Sequence, residues 1–243
     1  MSSVSTDFFI PPNAKKYHSF PVKGRELIVA IKLARVPEKL DPEASTSVLV
    51  NSFISEYRDK RHLVPSQIKS GLSTWDEVGK FYEDYFKTEQ EKFRHGEIQF
   101  WIEAFVGSKL VDGKLVDGKL AGWATFRVEA LDENAVYMEL LAVDPNYQRM
   151  GIGKQLVYSL IHLNEIPDLH TINLDLRVLN EGGKEFYTKL GFHPNPEYKG
   201  APNEVERNLL EVYTWRKPAL QNKAHPEPEP DTKSGVSSLG LKY

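Results

Sequence analysis

The chain contains no cysteine. That absence excludes a disulfide framework, a thiolate zinc site and a cysteine nucleophile, so acyl transfer through a cysteine-linked intermediate is impossible. Basic charge is not in excess either. Lys and Arg number 31 against 34 Asp and Glu, a formal net charge of −3, and no basic patch suited to nucleic acid stands out. The seven histidines show neither H-x-x-x-H nor H-E-x-x-H spacing, so no metal motif is present. No apolar run approaches the ~20 residues of a membrane span. The first residues lack the basic and apolar regions of a secretory leader. The expectation is a soluble cytoplasmic protein without a metal, a membrane or a nucleic-acid partner.

What is present is 243 residues, 40% of them hydrophobic, enough for a domain with a sizeable core. Residues 1–25 mix Pro, Lys and aromatics without period and read as an N-terminal arm. Glu26–Arg35 reads as a first strand. Asp41-Pro42 starts a helix as N-cap and first-turn proline, and Leu49, Val50, Phe53, Ile54 and Tyr57 follow at helical spacing. Thr74 with Glu77 three residues on forms a capping box. It opens a second helix whose stripe of Trp75, Val78, Tyr82, Tyr85 and Phe86 reads as core packing. Its acidic residues Asp76, Glu77, Glu83 and Asp84 read as a solvated face.

Strands are expected over Glu97–Val106 and Leu120–Leu131. Between them Lys-Leu-Val-Asp-Gly occurs at 109–113 and again at 114–118. Each Asp-Gly suits a tight hairpin turn, so two turn registers compete. The repeat reads as a loop-tip expansion. Ala135–Val143 is an almost unbroken apolar strand of the kind buried on both faces. Ile152, Leu156, Leu160 and Ile161 give the next helix an apolar face. In Thr171–Val178, Ile172, Leu174, Leu176 and Val178 alternate with Asn173, Asp175 and Arg177. A strand, helix and strand in succession make a right-handed βαβ unit with parallel strands. A short helix over Gly182–Leu190 and a last strand over Glu204–Trp215 follow. Residues 218–243 are polar and Pro-rich and read as a disordered tail.

The most informative stretch joins the strand ending at Val143 to the helix beginning at Ile152. Its loop holds Gln148, Arg149, Met150, Gly151, Ile152, Gly153 and Lys154. Unpaired N–H groups and the dipole of a helix start make a cradle for a pyrophosphate. Gly151 and Gly153 would let the backbone approach it closely. G-x-G without a third glycine departs from the dinucleotide fingerprint, and no Ser or Thr follows Lys154 as a P-loop requires.

Gln148-Arg-Met-Gly151-Ile-Gly153 resembles the acetyl-CoA signature of the GNAT superfamily of N-acetyltransferases. The downstream segment Asn180-Glu-Gly-Gly-Lys-Glu-Phe186-Tyr187-Thr-Lys189-Leu-Gly191-Phe192 resembles that family's second conserved segment. The two motifs span Ala135 to His193, and a looser likeness covers residues 26–217 as one domain. The resemblance implies an α/β fold: a mixed, mostly antiparallel sheet with a central splayed parallel strand pair and helices on both faces, with acetyl-CoA entering the splay as co-substrate. It implies that the loop from Gln148 to Lys154 holds the CoA pyrophosphate. It further implies that the backbone of Leu141, Ala142 and Val143 pairs with the pantetheine arm and that Asn180 hydrogen-bonds it. Asn180 also fits a helix N-cap.

Acetyl transfer to an amine needs a neutral amine, a stabilised oxyanion and a protonated leaving thiolate. Deprotonating a lysine-like amine at pH 7 costs about 4.6 kcal/mol, from a pKa of ~10.4. Glu139 is the candidate base, because a carboxylate inside the apolar run Tyr137–Val143 must be paired or functional. Tyr187, which the resemblance places as the acid, is the candidate donor to the thiolate. Gly182-Gly183 departs from the family pattern by weakening the start of the helix that carries it. His193 reads as a surface histidine. The acceptor stays open among small amines, antibiotics, polyamines and protein termini. A CoA-binding module without catalysis, or an enzyme using a longer acyl group, are the alternatives.

Overall fold

The computed structural model describes residues 17–22, 25–34, 40–58, 65–68, 71–107, 109–111, 114–116, 118–163, 166–198 and 209–218. The C-terminal tail from 219 and the first 16 residues of the arm lie outside them. The strands are β1 (Tyr17–Val22), β2 (Arg25–Ala34), β3 (Phe100–Gly107), β4 (Lys109–Val111), β5 (Lys114–Val116), β6 (Lys119–Glu129), β7 (Asp132–Val143), β8 (Thr171–Arg177), β9 (His193–Pro194) and β10 (Leu210–Arg216). The helices are α1 (Pro42–Arg58), α2 (Pro65–Ile68), α3 (Trp75–Arg94), α4 (Ile152–Leu163) and α5 (Glu181–Lys189). None of the described helices is long and apolar enough to cross a membrane.

Eight strands form one sheet in the order β1-β2-β3-β6-β7-β8-β10-β9. Every pairing is antiparallel except β7 with β8, as the βαβ pattern requires. The edge strand β1 falls within the segment read as an arm. It pairs with β2 from Tyr17↔Ala30 to Val22↔Arg25, a role that its aperiodic sequence does not announce. The two copies of Lys-Leu-Val pair with each other, Lys109↔Val116, Leu110↔Leu115 and Val111↔Lys114. The first Asp-Gly therefore connects the two copies, and the turn register that the repeat left open is decided. The last strand begins at Leu210 rather than near Glu204. Residues 199–208 lie outside the described residues.

Both expected helix starts are observed. Asp41 Oδ1 accepts from the Ala44 N–H at 3.0 Å. Thr74 and Glu77 close the capping box, satisfying donors that a helix start leaves unpaired. The aromatic stripe of α3 packs into one core layer. Trp101 and Trp123 stack there at 4.7 Å, with Phe86 edge-on to both and Tyr82 against Phe53. Each such aromatic contributes roughly 1.5–3 kcal/mol by burial. The other layer lies on the α4 side. Ile152, Leu156, Val157 and Leu160 there meet Val136, Met138, Ile172, Leu174, Tyr187 and Phe192.

A β-bulge divides β7. Phe126 faces Met138 and Thr125 faces Leu140, so Glu139 has no counterpart on β6. The extra residue switches the side-chain alternation. Val136 and Met138 pack on the α4 side before it, and Leu141 and Val143 do so after it. Leu140 and Ala142 turn to the α1/α3 side. The parallel ladder between β7 and β8 runs from Ala135↔Thr171 to Met138↔Leu174 and stops there. Beyond that rung the two strands part, which opens a fork in the middle of the sheet.

Candidate active site

The fork is bordered by β7 on one arm and β8 on the other. Leu141, Ala142 and Val143 lie on the β7 arm, with Leu141, Ala142 and Val143 opposite Ala124, Trp123 and Gly122 of β6. The edge toward β8 lacks a strand there, so an extended ligand can add to it as a strand would. The Val143 N–H is engaged by Ser52 Oγ of α1 at 3.4 Å, a long bond.

The loop after β7 begins with Asp144, which caps the turn Pro145–Tyr147. Gln148 follows in an extended conformation, and its side-chain amide donates to the Val143 carbonyl at 3.1 Å. Its visible task is to tie the loop to the end of the strand. Arg149 has φ 63 and Gly151 has φ 81, with no other positive φ between them. Such alternation turns successive N–H groups toward a common centre and forms an anion nest. The first helical bond of α4 runs from Gln155 N to the Gly151 carbonyl, so the N–H groups of Ile152, Gly153 and Lys154 start the helix without intrahelical acceptors. Arg149 is exposed and Met150 half-buried, while Ile152 is buried in the core and offers only its backbone. The Lys154 ammonium lies 5.6 Å from the centre of the Tyr158 ring. These residues fit a bound pyrophosphate.

The two glycines differ from the sequence expectation. Gly151 has open space around it, and its positive φ is what demands glycine. Gly153 faces inward. A Cβ there would come within 3.1 Å of Phe186 Cζ, so this glycine permits close packing of α4 on α5. That contact couples the loop of residues 148–154 to the helix carrying Tyr187.

Asn180 caps α5, with Oδ1 accepting from Gly183 N at 2.8 Å. Gly183 has a reason too. A Cβ on it would meet Leu176 Cδ1 at 2.7 Å and the Asn180 side chain at 2.8 Å. The double glycine is thus compatible with a helix whose start is crowded against β8. Tyr187 is buried between Phe186 and Phe192, with ring centres at 4.9 and 5.5 Å. Burial raises its hydroxyl well above the ordinary phenol value.

Glu139 emerges at the bulge on the opposite face. Arg127 of β6 donates its Nε–H to Oε1, and Lys92 of α3 lies 3.9 Å from Oε2. Lys92 also pairs at 2.9 Å with Glu89, a fully buried carboxylate pushed above its usual value by burial. Across the fork, Asp175 is bonded by the hydroxyl of Tyr137. Burial, with the Asp175 charge behind it, raises that phenol. Asp175 was visible in the sequence only as a polar position of an alternating strand. His193 is exposed. Among the described residues no cluster of three or more His, Asp or Glu suits a metal.

A forked parallel pair, an anion nest at the end of one arm and a buried tyrosine on the helix packed against it are on one side of the comparison. On the other, residues 74–192 match the acetyltransferase (GNAT) family. Over those residues the chain is similar to GNAT acetyltransferases. The chain is similar to the [ribosomal protein bS18]-alanine N-acetyltransferases of Escherichia coli K12, at 38% identity over 74 residues, and of Salmonella typhimurium, at 35%. Those matches cover 30% of this chain and 48% of the relatives, so the chain spans about half the length of the curated relatives it matches. The PaiA N-acetyltransferase of Thermoplasma acidophilum, solved in complex with coenzyme A, is similar in fold. It has a TM-score of 0.51 and 18% identity, over 77% of this chain and 99% of that one. The sheet thus has Tyr187 and Glu139 on opposite faces, with the fork between them.

Proposed function

We propose that the chain is an N-acetyltransferase that moves the acetyl group of acetyl-CoA directly to a primary amine in the cytoplasm. The observation that supports it most is the fork beyond Met138↔Leu174 with the nest of Arg149 to Lys154 at the end of its β7 arm. In this reading the nest and Lys154 hold the pyrophosphate. The open edge of Leu141 to Val143 aligns the pantetheine arm, with Asn180 beside it, and brings the thioester into the fork. The amine nitrogen attacks the carbonyl carbon while its proton passes to a carboxylate, directly or through water. The carbon–sulfur bond breaks, and the thiolate takes the proton of Tyr187. A phenol raised by burial stays protonated at any physiological pH, which suits an acid waiting for a thiolate.

Glu139 is the base in this scheme. A second assignment has its own support. Glu139 is engaged by Arg127 and Lys92, so its carboxylate has to leave a bonded partner to take the proton of an amine. Asp175, the first residue past the last rung on β8, accepts from the hydroxyl of Tyr137 and stands on the opposite arm of the fork from Glu139.

The named activity of the bS18-alanine relatives makes a peptide N-terminus one acceptor class to include. The test is a thiol-release assay with acetyl-CoA and a panel holding an alanine-initiated peptide, a lysine peptide, spermidine and an aminoglycoside. Amine-dependent CoA release is expected. CoA binding by calorimetry without release on any amine would favour a binding module. Preference for a longer acyl-CoA would replace the acetyl group.

A further inference from the structure

Glu129, at the end of β6, gathers three partners from three segments. Arg127 Nη1 lies 3.3 Å away, Asn173 Nδ2 donates at 3.2 Å from β8, and the Tyr198 hydroxyl donates at 2.5 Å from the turn after β9. The same turn is held at its other end. Asn195 donates to Thr214 Oγ1 at 2.9 Å, and Thr214 donates to Asn173 Oδ1 at 2.6 Å. Asn173 and Thr214 are buried, so the bond between them is shielded from water, where it is stronger, and the part-buried bonds to Glu129 and Asn195 close a ring around it. Residues 195–198 are thus fastened to the sheet at both ends, by Asn195 to β10 and by Tyr198 to the Glu129 carboxylate.

Arg127 joins that ring to the fork. Its Nε serves Glu139, its Nη1 serves Glu129, and its guanidinium sits 4.4 Å over the ring of Tyr137. Tyr137 stacks in turn on Tyr198. Only a planar, multiply donating cation can do this at once; an ammonium cannot.

We propose that Arg127 is a positioning residue that couples the Asn195–Tyr198 turn to the carboxylate of Glu139. When the turn is seated on Glu129, Arg127 is held against Glu139 and fixes the direction of its carboxylate. An acceptor that displaces Tyr198 loosens Arg127 and frees the Glu139 carboxylate to turn toward the amine. The other titratable groups facing Glu139 are Lys92, Glu89 and Tyr85 of α3 and Tyr137 on its own strand. Lys92 is shared with Glu89, whereas Arg127 contacts both Glu139 and the carboxylate that holds the turn.

The inference rests on reading the fork as the acetyl-transfer site, but its test needs neither acetyl-CoA nor acceptor. Carboxyl-labelled glutamate is observed by NMR at a fixed neutral pH, with Glu139→Gln assigning the resonance, and amide exchange is followed at Asn195 and Tyr198. Arg127→Gln is expected to displace the Glu139 carboxyl resonance and to speed both amides about tenfold. Arg127→Lys, which keeps the charge and the fold, is expected to speed the amides with a smaller displacement. Glu129→Gln, which unseats the turn and leaves Arg127 in place, is expected to speed the amides and to displace the Glu139 resonance in the same direction as Arg127→Gln. An unmoved resonance in Arg127→Gln or in Glu129→Gln, or wild-type exchange in Arg127→Lys, overturns the coupling. A wild-type protein that acetylates no amine would overturn the enzymatic reading instead and leave these measurements standing.

Discussion

Glu139 and Asp175 are the first residues past the last rung of the parallel ladder, one on each arm of the fork. The bulge gives Glu139 its place, and the strand alternation gives Asp175 its own. In the proposed reaction an incoming amine would meet a carboxylate from either strand. One is restrained by Arg127 and Lys92, and the other is bonded to Tyr137.

Glu139→Gln and Asp175→Asn distinguish the two. The variant lacking the base should lose about 10²-fold in kcat/KM, and its rate at low pH should no longer follow a carboxylate titration. The other variant should keep that acidic limb. Rate profiles from pH 5 to 9 with the best acceptor of the panel decide it.

Tyr187→Phe should lower kcat by about 10²-fold or more while CoA affinity by calorimetry stays within about twofold of wild type. Because burial raises the phenol, deprotonation of Tyr187 should not reduce the wild-type rate up to pH 9.5. Equal turnover in the variant would remove Tyr187 from the mechanism.

Gly153→Ala puts a methyl 3.1 Å from Phe186 Cζ. It should cost about 1–3 kcal/mol in urea denaturation, as overpacking does. Gly151→Ala meets no atom but must hold φ 81, at about 1–2 kcal/mol. Pairing Gly153→Ala with Phe186→Leu should restore most of the loss. No recovery would show that the contact is not the cause.

Glu89 is buried and raised above its ordinary value. Its folded form holds a proton that the unfolded chain has released, so its contribution is fully present below the unfolded value and is lost as pH rises through the folded one. Glu89→Gln should therefore gain thermal stability relative to wild type as pH is raised from 4 to 8. A difference in Tm that is flat with pH would contradict this.

Much of the fold could be read because periodicity reports burial. The capping box at Thr74 and the βαβ unit are local patterns and appear where expected. What escaped is what depends on partners distant in sequence. Strand β1 forms because β2 offers an edge, and β9 is two residues long. The bulge at Glu139 exists only in the register between β6 and β7. The site divides in the same way. Gln148, Asn180 and Tyr187 stand in contiguous motifs, although Gln148 ties the loop to a strand and Asn180 caps a helix in the structure. Arg127, Glu129, Asp175 and Tyr198 come from separate segments, and nothing in their spacing announces that they meet.

The paired Lys-Leu-Val repeat has an evolutionary consequence. Each copy supplies the other's strand partner, so the duplication satisfies its own backbone instead of drawing on the sheet. The chain leaves at Val106 and returns at Lys119, directly opposite. An insertion that closes on itself in this way can lengthen or shorten without sliding β3 against β6. The registration that carries the bulge two strands away is insulated from it.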